Sequence, residues 1–146
     1  KGFSMLKKLG ILAAAAVVFS SPAFADAYTD CMKSASVKGS DFEIALCMKA
    51  EADRVLKQVQ AEYTQLAADK DFEKWNNGNG MFKGNLRDMY AAWLNYRDKY
   101  CSLYAYAAER YAGSEDYNRE KCRMDLTKEQ LAYITAISKV HNSTIN

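Results

Sequence analysis

The chain has 146 residues, with 20 Lys and Arg against 18 Asp and Glu, four Cys and a single His. This length suits one domain, and the apolar share of 49% is enough to bury a core, which excludes a disordered chain. One His also excludes catalysis by a His pair or by a Ser-His-Asp triad.

The first 25 residues have the pattern of a secretory signal peptide. Lys7-Lys8 precedes an apolar run from Leu9 to Phe19, and Ala23-Phe24-Ala25 follows as a small-x-small cleavage site. The apolar run is shorter than the roughly 20 residues that span a bilayer. We therefore expect cleavage after Ala25 and release of a bacterial protein into the periplasm or the medium.

The predicted mature chain is close to neutral. Met5 is the expected initiator, with residues 1–4 upstream of the native start. Removal of residues 1–25 takes away three lysines and leaves 17 basic against 18 acidic residues. Residues 26–146 contain no Lys/Arg cluster and no further long apolar run. We therefore expect neither nucleic-acid binding nor stable membrane insertion.

All four cysteines lie in the predicted mature part: Cys31, Cys47, Cys101 and Cys122. An even number of cysteines in a short exported chain indicates two disulfides. Gly39 lies midway between the first two cysteines, and Gly113 divides the last two almost evenly. If both glycines mark turns between antiparallel helices, each sequential pair can approach to the roughly 5.5 Å between Cα atoms that a disulfide needs. We therefore favour Cys31–Cys47 and Cys101–Cys122 over the less symmetric pairing that includes Cys47–Cys101.

The cysteines do not have the spacing of a metal or cofactor site. No C-x2-C pair and no second His is present for zinc, and no C-x-x-C-H for a c-type haem. We expect no metal and no cofactor.

Helical patterns cover most of the predicted mature chain, and strand patterns are almost absent. A short helix is expected around Tyr28–Val37. Ser40-Asp41-Phe42-Glu43 has the form of a capping box and predicts a second helix, with one apolar stripe, to about Asp69. Asn76-Asn77-Gly78-Asn79-Gly80 then predicts an exposed connection.

The second half of the chain predicts two further helices. The first covers about Lys83–Tyr111 and ends at Gly113, since glycine best tolerates a left-handed C-cap. Ser114 is expected to cap the next helix, which reaches about Ser138. Thr127-Lys128-Glu129-Gln130 also resembles a capping box, so a break near Thr127 is an alternative.

These patterns predict an all-α protein, namely a small up-and-down helical bundle with two disulfides. The helical domain is expected to cover residues 26–138. Residues 139–146 are expected to fray as a tail.

One charged residue lies on a stripe that should be apolar. Arg97 is four residues after Trp93 and four before Cys101, so all three share one helix face. An unpaired buried guanidinium is costly, and antiparallel alignment of the two long helices offers Asp53 or Glu62 as its partner. The favoured interpretation is a structural ion pair, and the alternative is a partly open binding feature.

Six of the ten tyrosines lie between Tyr90 and Tyr111. Aromatic residues at helical spacing usually belong to the core, which is the favoured interpretation here. Tyr96 and Tyr106 fall off the main stripe, however, and exposed tyrosines suit a protein-binding face.

The segment Ala92-Trp93-Leu94-Asn95-Tyr96-Arg97-Asp98-Lys99-Tyr100-Cys101 closely resembles the A-W-x-x-Y/F-R-D-x-x-C signature of the LprI-type lysozyme inhibitors. The order of the cysteines and the pair Leu126-Thr127 after Cys122 are also similar, so the resemblance spans roughly residues 30–135. The chain departs from many members at Tyr90, where they carry Gln, and at Lys128-Glu129-Gln130, where they carry Arg.

The resemblance implies a noncatalytic, exported envelope protein with a small disulfide-bonded helical domain that binds and blocks a lysozyme. Four positions of the signature are expected to be mainly structural: Trp93, Tyr96, Arg97 and Asp98. A periplasmic adaptor or an immunity-type protein that binds a different protein partner is the alternative function. No residue is expected to be catalytic.

The connection before the third predicted helix is the candidate surface for a lysozyme. A lysozyme cleft holds two carboxylates that flank the scissile bond, so a blocker can insert a loop that offers hydrogen-bond donors. The candidate partner-binding residues are Asn76, Asn77, Asn79, Met81 and Phe82. A plain flexible connection is the alternative interpretation of this segment.

Overall fold

A computed structural model describes residues 22–71, 81–109 and 113–144 of the chain. Within these ranges the protein consists of four helices and no strand: α1 (Pro22–Lys38), α2 (Asp41–Ala68), α3 (Met81–Ala108) and α4 (Glu115–Thr144). The predicted all-α class is confirmed. None of these helices combines the length and the apolar character needed to cross a bilayer. The predicted signal peptide lies outside the described residues except for Pro22–Ala25, which begin α1.

Successive helices run antiparallel, as expected for an up-and-down bundle. Consequently α2 and α4 run parallel to each other. The Ser114 amide donates to Asp41 Oδ2 (3.1 Å) where both helices begin. Farther along the same pair, Ser138 Oγ donates to Glu62 Oε2 (2.9 Å). The most extensive interface joins α2 and α4, while α3 packs mainly against α4 and α1 against α2.

Both predicted disulfides are present. Cys31–Cys47 joins α1 to α2 with 5.7 Å between Cα atoms, and Cys101–Cys122 joins α3 to α4 with 5.5 Å. Each bridge closes a loop around a glycine turn, and loops of this size contribute on the order of 3 kcal/mol to stability. The disulfides therefore fix the two outer helices on the α2–α4 pair.

The core consists of two apolar clusters. The larger lies where α2, α3 and α4 meet: Val59, Tyr63, Leu66, Leu86 and Ile134. The smaller contains Met48, Ala52 and Met124, with Tyr28 and Met32 of α1 packed against it. Three helices meet in each cluster, so no helix is stabilised by its own sequence alone.

The turns agree with the sequence prediction, apart from one cap. Gly39 and Gly113 both have positive φ, 64° and 75°. Ser114 Oγ accepts from the Tyr117 amide at the start of α4 (3.3 Å), as predicted. Ser40 is the N-cap of α2, but its side chain makes no capping hydrogen bond, and Glu43 pairs with Lys38 at 3.5 Å instead. The capping box is therefore right about the helix start and wrong about the bond.

The helix α4 is continuous through Thr127, so the alternative of a break there is wrong. Thr127 Oγ1 donates to the Arg123 carbonyl oxygen one turn earlier (2.6 Å), a bond that a helix interior accommodates. The helix ends at Thr144 rather than near Ser138.

Alanine substitutions at the two turn glycines separate backbone strain from steric clash. A Cβ at Gly113 would lie 3.1 Å from Tyr117 Cδ1, whereas a Cβ at Gly39 meets nothing within 4 Å. We expect Gly39→Ala to lower the free energy of unfolding by about 1 kcal/mol and Gly113→Ala by about 2 kcal/mol. Urea denaturation of the oxidised protein measures both. Equal losses would show that Tyr117 does not restrict this turn.

Candidate functional site

Arg97 is the central charged residue of the signature segment, and it is buried. Only 3% of its surface is exposed. Its Nε and Nη2 donate to Asp98 Oδ1 at 3.0 and 2.8 Å, and its Nη1 donates to Thr127 Oγ1 on α4 at 3.1 Å. The guanidinium carbon also lies 5.3 Å from the centre of the Trp93 ring, which is within cation–π range. The guanidinium is thus paired and closed off from solvent.

The partner expected for Arg97 from α2 is wrong. Asp53 pairs with Lys49 of its own helix (2.7 Å), and Glu62 accepts from Ser138. The reason is the position of α3, which packs mainly against α4. The Arg97 side chain therefore meets α4.

Asp98 connects two arginines on different helices. Arg123 Nε of α4 lies 3.2 Å from the same Asp98 oxygen that accepts from Arg97. Asp98 is about half exposed, so water still solvates part of its carboxylate. The group of Arg97, Asp98, Arg123 and Thr127, here called the arginine network, holds α3 against α4 within about one turn of Cys101–Cys122. Its contacts are those of a structural link between the two helices, and its central guanidinium, Arg97, is closed to ligands.

Thr127 was not predicted as a partner of Arg97. Its sequence context suggested only a helix start and, in the resemblance, the Leu126-Thr127 pair after Cys122. The available signal was the position of Thr127, a hydroxyl residue five residues after Cys122 on the helix that the Cys101–Cys122 disulfide joins to α3.

The tyrosines divide into a buried and an exposed group. Tyr63 and Tyr90 pack with ring centres 5.0 Å apart between α2 and α3, and burial raises the pKa of both hydroxyls. Gln130 Nε2 donates to the Tyr63 hydroxyl at 2.8 Å. These two tyrosines fit the favoured interpretation of core residues.

Four exposed tyrosines lie on α3, namely Tyr96, Tyr100, Tyr104 and Tyr106, with 54%, 44%, 48% and 69% of their surfaces accessible; Tyr133 of α4 is also exposed. Tyr100 and Tyr104 were expected on the buried stripe, and that expectation is wrong. Tyr96, a signature residue, is exposed, whereas Arg97 beside it is buried. The signature therefore contains inward positions that hold the fold and an outward aromatic residue.

The residues predicted to contact a lysozyme fall largely outside the described part of the chain. Asn76, Asn77 and Asn79 lie between residues 71 and 81. Met81 and Phe82 are the first residues of α3, and their side chains are outside the description. In the sequence these residues follow the end of α2 and reach into the first turn of α3. No cluster of His, Cys, Asp and Glu in the described residues could hold a metal ion.

A family model described as lysozyme inhibitor LprI matches residues 31–133. The chain belongs to the LprI lysozyme inhibitor family. No curated protein and no solved structure gave a significant match. The matched LprI region contains all four cysteines and the whole arginine network, so it covers the elements that fix the bundle.

A second buried charged group joins three helices of this LprI domain. Glu51 of α2 accepts two hydrogen bonds from Arg54, at 2.7 and 2.9 Å, and Lys128 of α4 lies 3.5 Å from its carboxylate. Lys128 also lies 5.0 Å from the centre of the Tyr28 ring of α1. Glu51 is four residues after Cys47 and four before Val55, so the spacing that singled out Arg97 also predicts its burial. Glu51 was nevertheless not among the predicted buried residues.

Removal of the Asp98 charge should expose the cost of burying Arg97. We expect Asp98→Asn to lower the free energy of unfolding by about 2 kcal/mol, because two guanidiniums lose their shared carboxylate. The matched control is Asp53→Asn, which breaks an exposed pair with Lys49 (2.7 Å) at a carboxylate that is as exposed as that of Asp98. Its expected effect is at most about 0.5 kcal/mol. Similar losses in the two variants would contradict a structural role for the arginine network.

The Glu51 carboxylate should make the free energy of unfolding depend on pH. Hydrogen bonds from Arg54 hold the pKa of Glu51 below its ordinary value of 4.5. The ionised carboxylate therefore stabilises the folded protein fully above about pH 4.5, and this contribution is lost as the pH falls through the lowered pKa. We expect Glu51→Gln to lower the free energy of unfolding at pH 7 by about 1–2 kcal/mol and by less at pH 3.

The control for Glu51 is Glu43→Gln, because Glu43 pairs with Lys38 on the surface. It should change stability by no more than about 0.5 kcal/mol at pH 7. Urea titrations at both pH values measure the differences. A deficit of Glu51→Gln that is as large at pH 3 as at pH 7 would show that its charge is unimportant.

Proposed function

We propose that this LprI-family protein is exported and binds a lysozyme, blocking the enzyme without catalysing a reaction itself. The observation that carries the proposal is the family match over residues 31–133. The match includes both disulfides and the arginine network. The residues that fix the helices of this chain therefore lie within the family match.

Export is supported by two independent features of the chain. The pattern of residues 1–25 is that of a signal peptide with cleavage after Ala25. All four cysteines are paired in the structure, which suits the oxidising conditions of the periplasm or the medium. We propose one of these two compartments as the site of action.

The loop of Asn76, Asn77 and Asn79, with Met81 and Phe82 after it, remains the proposed contact with the enzyme. The proposed contact is supported by hydrogen-bonding chemistry: amide groups donate hydrogen bonds to carboxylates, and two carboxylates flank the bond that a lysozyme cleaves. The end of α2 at Ala68 and the start of α3 at Met81 lie at the end of the bundle opposite the two glycine turns. Neither disulfide lies at this end.

Purified, oxidised protein should slow the lysis of cell-wall substrate by a lysozyme. Turnover by chicken-type, goose-type and invertebrate-type enzymes is measured with the protein in micromolar excess. We expect inhibition of at least one type. No inhibition of any type would contradict the proposed function, and capture of a single non-lysozyme partner from the envelope would favour an adaptor instead.

Substitutions in the loop test where the enzyme binds. If the amides contact the lysozyme, replacement of Asn76, Asn77 and Asn79 by Ala should weaken inhibition about tenfold or more. The control is Gln65→Ala, which removes an exposed amide from α2. Inhibition that survives the loop substitutions would place the contact elsewhere on the bundle.

A further inference from the structure

The helix α3 has a second apolar face that no other described helix covers. Its residues are here called the tyrosine stripe: Met89, Tyr96, Tyr100, Leu103 and Tyr104. Each of them has between 44% and 69% of its surface exposed. Cys101 and Ala105 of the same helix are completely buried, so α3 is apolar both toward the bundle and on this outward side. A soluble helix rarely shows a second apolar face unless a partner covers it.

The tyrosines of the stripe form one stacked row. The Tyr96 and Tyr100 rings have centres 5.5 Å apart, and the Tyr100 and Tyr104 rings 6.4 Å, with small interplanar angles of 25° and 16°. Each ring restricts the next, so less side-chain freedom remains to be lost on binding. Ala92 and Ala107 lie on the same helix face and are small enough to let another helix approach closely.

Two opposite charges lie along one edge of the stripe. Asp88 and Lys99 are eleven residues apart, which is about three helical turns or 17 Å, so they share a side of α3 but cannot meet. Both are exposed. Asp88 contacts only the exposed Arg87 beside it, and Lys99 has no ion pair within the described ranges. Two copies of α3 in antiparallel orientation would bring each charge opposite the other.

We infer that the tyrosine stripe is a self-association surface, on which α3 packs antiparallel against α3 of a second copy. A two-fold axis at the level of Leu94 sets Tyr96 opposite the partner's Ala92. In the same register Asp88 lies within one residue of the partner's Lys99, and Tyr100 lies within one residue of the partner's Met89. The ion pairs and the packing of large against small residues thus favour the same antiparallel register, to within one residue.

The charge and area of the stripe favour a second copy over a charged enzyme. The stripe itself is neutral, so it meets itself without like-charge contacts and gains no electrostatic attraction to a cationic protein. A tyrosine presents roughly 200 Å² in total, so five half-exposed side chains offer on the order of 500 Å². With its flanking residues the stripe approaches the roughly 800 Å² per partner of a standard interface. This area suits a reversible dimer.

Sedimentation equilibrium of the oxidised, exported protein tests the inference directly. We expect a monomer–dimer equilibrium with a Kd on the order of 10 μM. Tyr100→Ser should raise that Kd at least about tenfold. The matched control is Tyr133→Ser, which removes a tyrosine that is 61% exposed on α4 and outside the stripe. It should leave the Kd unchanged.

Charge reversal tests the antiparallel register. Asp88→Lys and Lys99→Asp should each weaken the dimer, because each places like charges opposite each other, and the double variant should restore it. In a parallel dimer the single reversals would change little. A carbodiimide cross-link should join Asp88 of one copy to Lys99 of the other, and peptide mapping identifies it. Circular dichroism confirms that each variant is folded.

A protein that stays monomeric at several hundred micromolar would overturn the inference, as would a dimer that Tyr100→Ser leaves intact. A monomeric protein that loses lysozyme inhibition when Tyr100 is replaced would instead assign the stripe to the enzyme. Lysozyme inhibition is measured separately, so failure of self-association and failure of the proposed function give different results.

Discussion

The packing of α3 depends on the burial of one guanidinium. Arg97 is buried, and a charge in that position must be met by acceptors. Asp98 provides the counter-charge from the edge of the helix, where its half-exposed carboxylate stays partly hydrated, and Thr127 provides a neutral acceptor from α4. Only one charge of the pair is fully desolvated, which limits the cost of burying it. The Cys101–Cys122 bridge, one turn away, keeps the two helices at the distance that this geometry needs.

The features predicted well from the sequence were those with local signals. Gly39, Gly113 and Ser114 mark turns by their own conformational and capping preferences, and the disulfide pairs follow from the distances of the cysteines to those turns. The partner of Arg97 has no local signal. Antiparallel alignment of α2 with α3 predicts how far along the bundle axis each residue lies. It does not predict which neighbouring helix α3 packs against, and in the structure α3 packs mainly against α4.

The tyrosines show a related limit of periodicity. Helical spacing places residues on a common face but does not say whether that face is covered. Tyr90 lies toward α2, where Tyr63 meets it, whereas the tyrosine stripe lies on the side of α3 that remains open. Three helices enclose the core here, so α3 has room for a second apolar face. Composition alone would assign both faces to the interior.

Both proposed interaction surfaces involve α3. The loop proposed to contact a lysozyme directly precedes α3 in the sequence, and the tyrosine stripe occupies the outer side of this helix. The arginine network and Cys101–Cys122 fix its orientation from the inner side. A change at the α3–α4 interface can therefore disturb both surfaces without touching either. The two surfaces share no residue, since the stripe begins at Met89 and the loop ends at Phe82, and substitutions on the surface can separate self-association from inhibition.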